Sequence, residues 1–262
     1  EITSSIRGDV TEAGSAVSSA TIVVRNENTG RERSVMTNES GSFLVRNLPV
    51  DGIYTVTATR GTSTDSIKSL SLVLGQTSNV SLDIASSLEE VVVQGRRIDS
   101  QVAPGPNAVF GLETLESAPA INRNIVDILR IDPRVYVDEG RAEINPVQCM
   151  GKNPRFNSLN VDGVALNDLF GLNSNGYPTE RMPYSYDAIS QVAIEIAPFD
   201  VRYGGFTACN INAVTKSGSN EFSGSVWYDM TSDSLTGDSL EGEDVAVGDY
   251  DKDRYGFTFG GP

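Results

Sequence analysis

The first 85 residues are cut into short β-branched runs by turn-forming residues, and that rhythm restricts the region to a small all-β fold. Ala20-Thr21-Ile22-Val23-Val24-Arg25-Asn26 is one run, followed by Ser34 to Thr37, Gly41 to Asn47 and Ile53 to Arg60. Asn38-Glu39-Ser40-Gly41 and Pro49-Val50-Asp51-Gly52 separate them. Within Ile53 to Thr59, Tyr54, Val56 and Ala58 alternate with threonine, the period of a strand with one buried face. Ser69 to Leu74 and Asn79 to Ile84 complete the set across Gly75-Gln76-Thr77. Strands this short and this evenly spaced predict a small antiparallel sandwich.

A chain of 262 residues has room for more than this one sandwich, and composition narrows what the rest can do. The net charge of −15 opposes phosphate backbones and anionic headgroups, so nucleic acid is not expected as a partner. The chain has no histidine, which removes Ser-His-Asp and Cys-His catalysis and leaves a transition-metal site poorly supplied. Asp162 and Asp168 are the nearest thing to an acid–base pair, yet both sit among turn formers, so no enzyme and no cofactor is expected. No run of 18 apolar residues is present, as a membrane-crossing helix would need; a β-barrel leaves no such trace. Cys149 and Cys209 are compatible with one disulfide in an oxidising compartment, or with two unrelated buried thiols. A bridge would close a loop of about 61 residues and stabilise by roughly 4 kcal/mol.

Ile6-Arg7-Gly8-Asp9-Val10, Ala20 to Val24, Thr37-Asn38-Glu39-Ser40-Gly41-Ser42-Phe43 and Leu48-Pro49-Val50-Asp51-Gly52-Ile53-Tyr54-Thr55-Val56 together resemble the carboxypeptidase regulatory-like domain. The resemblance spans nearly all of residues 1–86 and implies a prealbumin-like sandwich without peptidase activity. Composition then changes abruptly. Leu88-Glu89-Glu90-Val91-Val92-Val93-Gln94-Gly95-Arg96-Arg97 has strong β propensity but no partner face of its own, so it suits addition to another protein's sheet, an ordinary strand being the alternative.

From about Pro104 the pattern is mixed and predicts a small α+β domain. Asn122 to Arg130 carries Ile125, Ile128 and Leu129 at helical spacing, with Asp132-Pro133 as the stop. Ser158 to Gly163 and Ile189 to Ala197 follow as apolar runs, with Asp162-Gly163 a strong turn signal and Gly204-Gly205 permitting positive φ at a bend. Asn153-Pro154-Arg155-Phe156-Asn157-Ser158-Leu159-Asn160-Val161-Asp162-Gly163-Val164-Ala165-Leu166-Asn167-Asp168, Asp187 to Phe206 with Arg202, Gly204 and Gly205, and Asn210-Ile211-Asn212-Ala213-Val214-Thr215-Lys216-Ser217-Gly218 are similar, in this order, to the plug domain of TonB-dependent outer-membrane receptors. Ala197-Pro198-Phe199, where many members carry Gly-Pro, and Cys209 point to the Oar-like branch, whose members also carry the N-terminal sandwich. By this resemblance Glu89, Glu90, Val91, Val92 and Val93 occupy the place of the TonB box, the segment that binds the C-terminal domain of TonB.

Glu221 to Met230 places Phe222, Val226 and Tyr228 on one side and Ser223, Ser225, Trp227 and Asp229 on the other, while Tyr255, Phe257 and Phe259 alternate with Gly256, Thr258 and Gly260. Two barrel strands facing lipid are expected, a soluble hairpin on a core giving the same alternation. Nine acids against Lys252 between Asp229 and Asp253 read as a solvated loop, without calcium-loop spacing. The expected organisation is therefore mainly β with an α+β plug: sandwich over 1–86, TonB box and linker over 87–104, plug over 105–220, and a first barrel hairpin over 221–262. A plugged barrel needs on the order of 22 strands, so the chain is expected to be part of a longer receptor in a Gram-negative outer membrane, residues 1–104 in the periplasm and the plug inside the barrel. Besides TonB, the expected partners are the remaining barrel, outer-membrane lipid and an unidentified substrate of the peptide, protein or glycan kind. A non-transporting adhesion or docking protein built on the same domains is the alternative reading.

Overall fold

The computed structural model describes residues 2–84, 107–118, 123–138, 145–179, 184–198, 203–237, 239–240, 242–245 and 248–262. They form two compact units, residues 1–217 and 218–262.

The first unit opens with a two-sheet sandwich. Its strands are β1 (Thr3–Glu12), β2 (Ser15–Ala16), β3 (Thr21–Asn26), β4 (Glu32–Met36), β5 (Ser42–Pro49), β6 (Ile53–Arg60), β7 (Ser63–Ser71) and β8 (Thr77–Asp83). One sheet places β1 against β2, β5 and β8, and the other runs β4-β3-β6-β7. Alternate residues turn inward: Ile6 and Val10 from β1, Ile22 and Val24 from β3, Tyr54, Val56 and Ala58 from β6, and Val80 and Leu82 from β8 are buried between the sheets. Each of the larger apolar side chains contributes roughly 1.5–3 kcal/mol of burial, which is what fixes the register. Gly8 lies where β1 is crossed most closely, since a Cβ there would come within 2.5 Å of the Val80 carbonyl.

Three details differ from the sequence reading. β1, which that reading did not count among its strands, is the hub of its sheet; Arg, Gly, Asp and Thr dilute its β propensity and leave only Ile6 and Val10 as signal. β1 pairs β8 in parallel, so the sandwich is mixed and not wholly antiparallel. The strand expected from Ser69 to Leu74 starts at Ser63, because an edge strand against β6 needs no apolar run on its exposed face.

The remainder of this unit is the expected α+β body. β9 (Asn107–Phe110), α1 (Leu112–Ser117), α2 (Ile125–Leu129), β10 (Val135–Val137), β11 (Val147–Cys149), β12 (Ser158–Val161), β13 (Val164–Ala165), β14 (Ile189–Ile196) and β15 (Cys209–Thr215) follow in order. Five strands make one sheet, β13-β12-β15-β14-β9, with β12 and β15 parallel. α2 is started by a capping box in which the Asn124 side chain accepts from Val126 N–H at 2.6 Å and Asp127 reaches back to the Asn124 N–H. It ends where Asp132 accepts from the backbone and the guanidinium of Arg134. One face of the sheet carries Leu159, Val192, Ile194, Ile196, Ile211 and Ala213 into a core with both helices.

The second unit is a hairpin of β16 (Ser223–Ser232) and β19 (Asp251–Gly260), with the small pair β17 (Ser239–Leu240) and β18 (Glu243–Asp244) in its connection. Its register sets Val226 opposite Phe257 and Tyr228 opposite Tyr255, so the predicted alternation holds and one face presents a continuous row of exposed apolar side chains. The other face pairs Ser225 with Thr258 and Asp229 with Arg254, the last an ion pair of 2.9 Å.

Candidate functional site

The five-stranded sheet has a second face, on which polar and small residues predominate. Ala193 on β14, Asn210 and Asn212 on β15, and Ser158 and Asn160 on β12 stand there by strand alternation and register. Glu195 joins them at 6% exposure, a carboxylate flanked by Ile194 and Ile196. Tyr203 Oη donates to Glu195 Oε1 at 2.7 Å, and Asn210 Nδ2 donates to Oε2 at 2.7 Å. Asn160 Nδ2 continues the chain to Asn210 Oδ1, again at 2.7 Å. A buried charge with hydrogen bonds to both oxygens avoids most of the desolvation cost of an unpaired one, and such a network holds its members in one arrangement.

The sandwich lies against this same sheet. Gln191, on β14, accepts from the Leu74 N–H at 3.0 Å and donates to the Leu72 carbonyl at 2.8 Å. Asp51, in the β5–β6 turn, accepts from Ser190 Oγ at 3.2 Å and from the N–H and Oγ of Ser217 at 2.6 and 2.7 Å. Ala193 and Val214 belong to the sandwich's hydrophobic cluster, with Val109 packed on it, so the contact combines apolar burial with directional hydrogen bonds. No isolated sequence motif marks this contact. Gln191 and Asp51 look like ordinary surface residues until the two layers are brought together.

Of the residues singled out in the sequence, Asp162 and Gly163 form the turn between β12 and β13, with φ of +49° and +81°. That is the conformation a two-residue hairpin turn of matched twist requires. Asp162 also accepts from the N–H and hydroxyl of Thr215 at 2.9 and 2.7 Å, tying the turn to the end of β15. Cys149 and Cys209 are joined as a disulfide, buried between β11 and β15. Asn212 is buried at the centre of β15. Positive φ falls on Gly205, at +76°, and not on Gly204, so the bend needs only one of the two glycines. Ala197 takes +55°, a left-handed backbone at the place where the resemblance leads one to expect glycine. Arg202, Glu89, Glu90, Val91, Val92 and Val93 lie outside the described residues. The described chain leaves the sandwich at Ile84, after β8, and re-enters at Asn107 as β9, the edge strand of the five-stranded sheet.

Titration is shaped mainly by burial. Tyr186 donates its hydroxyl to the Leu115 carbonyl, and burial pushes it up to about 12; burial raises Tyr177 and Tyr184 as well. The side-chain hydrogen bonds from Arg134 hold Asp132 below the usual carboxylate range. Backbone N–H groups, that of Asn173 foremost, do the same for Asp168, which anchors the turn of Phe170 and Gly171. None of these groups is poised for proton transfer near neutral pH. The arrangement is suited to holding two layers together.

Residues 5–85 match the carboxypeptidase regulatory-like domain. Over 249 residues the chain is 28% identical to the TonB-dependent transporter Oar of Myxococcus xanthus, a match covering 89% of this chain and 22% of that protein. Among solved structures it is similar to the siderophore receptor PirA from Acinetobacter baumannii, at 24% identity and a TM-score of 0.45 over 60% of this chain and 22% of that one. It is likewise similar to the outer membrane transporter YddB from Escherichia coli, at 18% identity and a TM-score of 0.45 over 58% and 24% of the two chains. This chain thus spans less than a quarter of the length of each of these three proteins. Residues 5–85 thus match the carboxypeptidase regulatory-like domain, and over most of its length the chain is similar to a TonB-dependent transporter.

Proposed function

We propose that this chain is the periplasm-facing and plug portion of a TonB-dependent outer-membrane transporter, gating substrate passage through a β-barrel completed by further strands. The observation that carries the reading is the relationship to the Myxococcus transporter, which extends over 249 residues and therefore through both the sandwich and the α+β body. In this reading residues 1–86 are the periplasmic sandwich, 87–104 the TonB box and linker, 105–220 the plug and 221–262 the first two barrel strands. Asp162, Gly163, Arg202, Gly204, Gly205 and Asn212 are structural residues of the plug, setting turns and strand packing.

Physical features favour this assignment. The hairpin's exposed aromatic row suits hydrocarbon on one side. The disulfide is suited to an oxidising compartment such as the periplasm. The relatives do not favour the adhesion alternative.

Glu89 to Val93 supply the strand that adds to the C-terminal domain of TonB, and force on it reaches the plug through β9. Proline at Val92 would remove a main-chain donor from that pairing. In cells producing the complete receptor, Val92→Pro abolishes energy-dependent uptake while leaving receptor abundance in the outer membrane unchanged. Undiminished uptake by this variant would contradict the assignment.

A further inference from the structure

The outer face of the sheet formed by β1, β5 and β8 carries a cavity of about 390 Å³, lined by Thr3, Ser5, Arg7, Arg46, Asn47 and Gln76 among others. Its construction departs from a regular ladder. Ser4 pairs with Leu48 but Ile6 pairs with Val45, so Arg46 and Asn47 together oppose the single residue Ser5. This is a β-bulge, a device that re-aims side chains and gathers near binding sites. Asn47 takes the left-handed φ of +57° there, and Arg46 and Asn47 are both exposed in succession where the strand otherwise alternates.

The charge at this bulge is unusual for the chain. Arg7 stands opposite Leu44, two residues from Arg46 on the adjacent strand, and both arginines line the cavity. Elsewhere in the sandwich Arg25 lies near Glu27 and Glu32, and Arg60 near Glu12. Arg7 and Arg46 have no carboxylate within ion-pair distance among the described residues. Asp9, the next outward residue on β1, accepts instead from Ser42 Oγ at 2.6 Å. Arg33 adds a third guanidinium by donating to the Arg46 carbonyl. Like charges on neighbouring strands disfavour one another, and a chain with 35 acids against 20 bases has many carboxylates that do not come here. Paired forks, hydroxyls and two carboxamides around one cavity form a set of donors in search of an acceptor.

We propose that this cavity binds a small oxyanion-bearing ligand, a carboxylate or phosphate held between Arg7 and Arg46 with Ser5, Thr3, Asn47 and Gln76 as further donors. The sandwich is then a ligand-responsive module and not only a spacer, a property independent of whether the chain engages TonB.

The test is titration of the 262-residue chain with citrate and, separately, with inorganic phosphate at low salt, following backbone amide resonances around Thr3, Ser5, Asn47 and Thr77. Saturable shifts confined to these residues are expected with at least one probe, and which probe saturates distinguishes carboxylate from phosphate. Arg46→Gln should weaken binding at least about tenfold without lowering the melting temperature measured in the absence of anion, since it relieves a like-charge contact. Arg46→Lys, which keeps the charge but loses the fork, should also weaken it, whereas Arg25→Gln should not. No saturation with either probe, or equal weakening by Arg25→Gln and Arg46→Gln, would overturn the proposal.

Discussion

Gln191 treats the backbone of Leu74 as a neighbouring strand would, its side-chain oxygen accepting the Leu74 N–H at 3.0 Å while its amide nitrogen donates to the Leu72 carbonyl at 2.8 Å. The pairing joins residues 117 positions apart and closes the end of β7 onto β14. Removing one side of such a contact leaves partly buried backbone groups without partners, which costs about 1–3 kcal/mol. Gln191→Ala should therefore raise the hydrogen-exchange rate of the Leu74 amide and let the sandwich melt separately from the five-stranded sheet. Unchanged exchange at Leu74 in this variant would mean that the contact does not hold the layers together.

The disulfide ties β11 to β15 across 60 residues. Reduction, or Cys149→Ser with Cys209→Ser, should lower the stability of the first unit by about 4 kcal/mol in the chain-entropy account. Denaturant titration with and without reductant measures this directly as a shift in midpoint.

The bend after Tyr203 and the end of β14 make opposite demands. Gly205 has φ of +76° with open space around its Cα, so Gly205→Ala should cost about 1 kcal/mol from backbone strain alone. Gly204→Ala, with no positive φ and no obstruction, should be close to neutral. Ala197 already occupies the left-handed region, and Ala197→Gly should raise stability by up to about 1 kcal/mol. Thermal melts of the three variants would rank them in that order.

The buried tyrosines predict where alkali acts. Tyr186 titrates at about 12, against 10.0 for a free tyrosine, so the folded state favours the neutral phenol. Its contribution is fully present below pH 10 and is lost as pH rises towards 12, with Tyr177 and Tyr184 raised in the same sense. On the acid side the sign reverses. Asp132 and Asp168 lie below the ordinary carboxylate value of 3.8, so what they contribute is present above that pH and lost as pH falls through their folded values. Stability followed by tyrosine absorbance and circular dichroism should fall off above pH 10.

Much of this was legible from side-chain period and turn chemistry. Tyr54, Val56 and Ala58 alternate because one face of β6 is buried, and Asp162-Gly163 announces its turn because few other residues tolerate two successive positive φ values. β1 escaped because its place at the centre of a sheet comes from pairing with β5 and β8, which no local pattern of Arg, Gly, Asp and Thr reveals. The contacts of Gln191 and Asp51, and the network around Glu195, escaped for the same reason: their partners are 8 to 166 residues away and meaningful only once the strands and layers are assembled. Glu195 did leave a trace, a lone carboxylate between Ile194 and Ile196 in a strand buried on both faces.

The central claim is that Leu88 to Gln94 couples this chain to TonB. The most direct measurement is the affinity of the chain for the purified C-terminal domain of a TonB protein, compared with the same chain lacking Leu88 to Gln94. The account predicts micromolar binding that the deletion abolishes; binding that survives the deletion, or no binding by either chain, would contradict it.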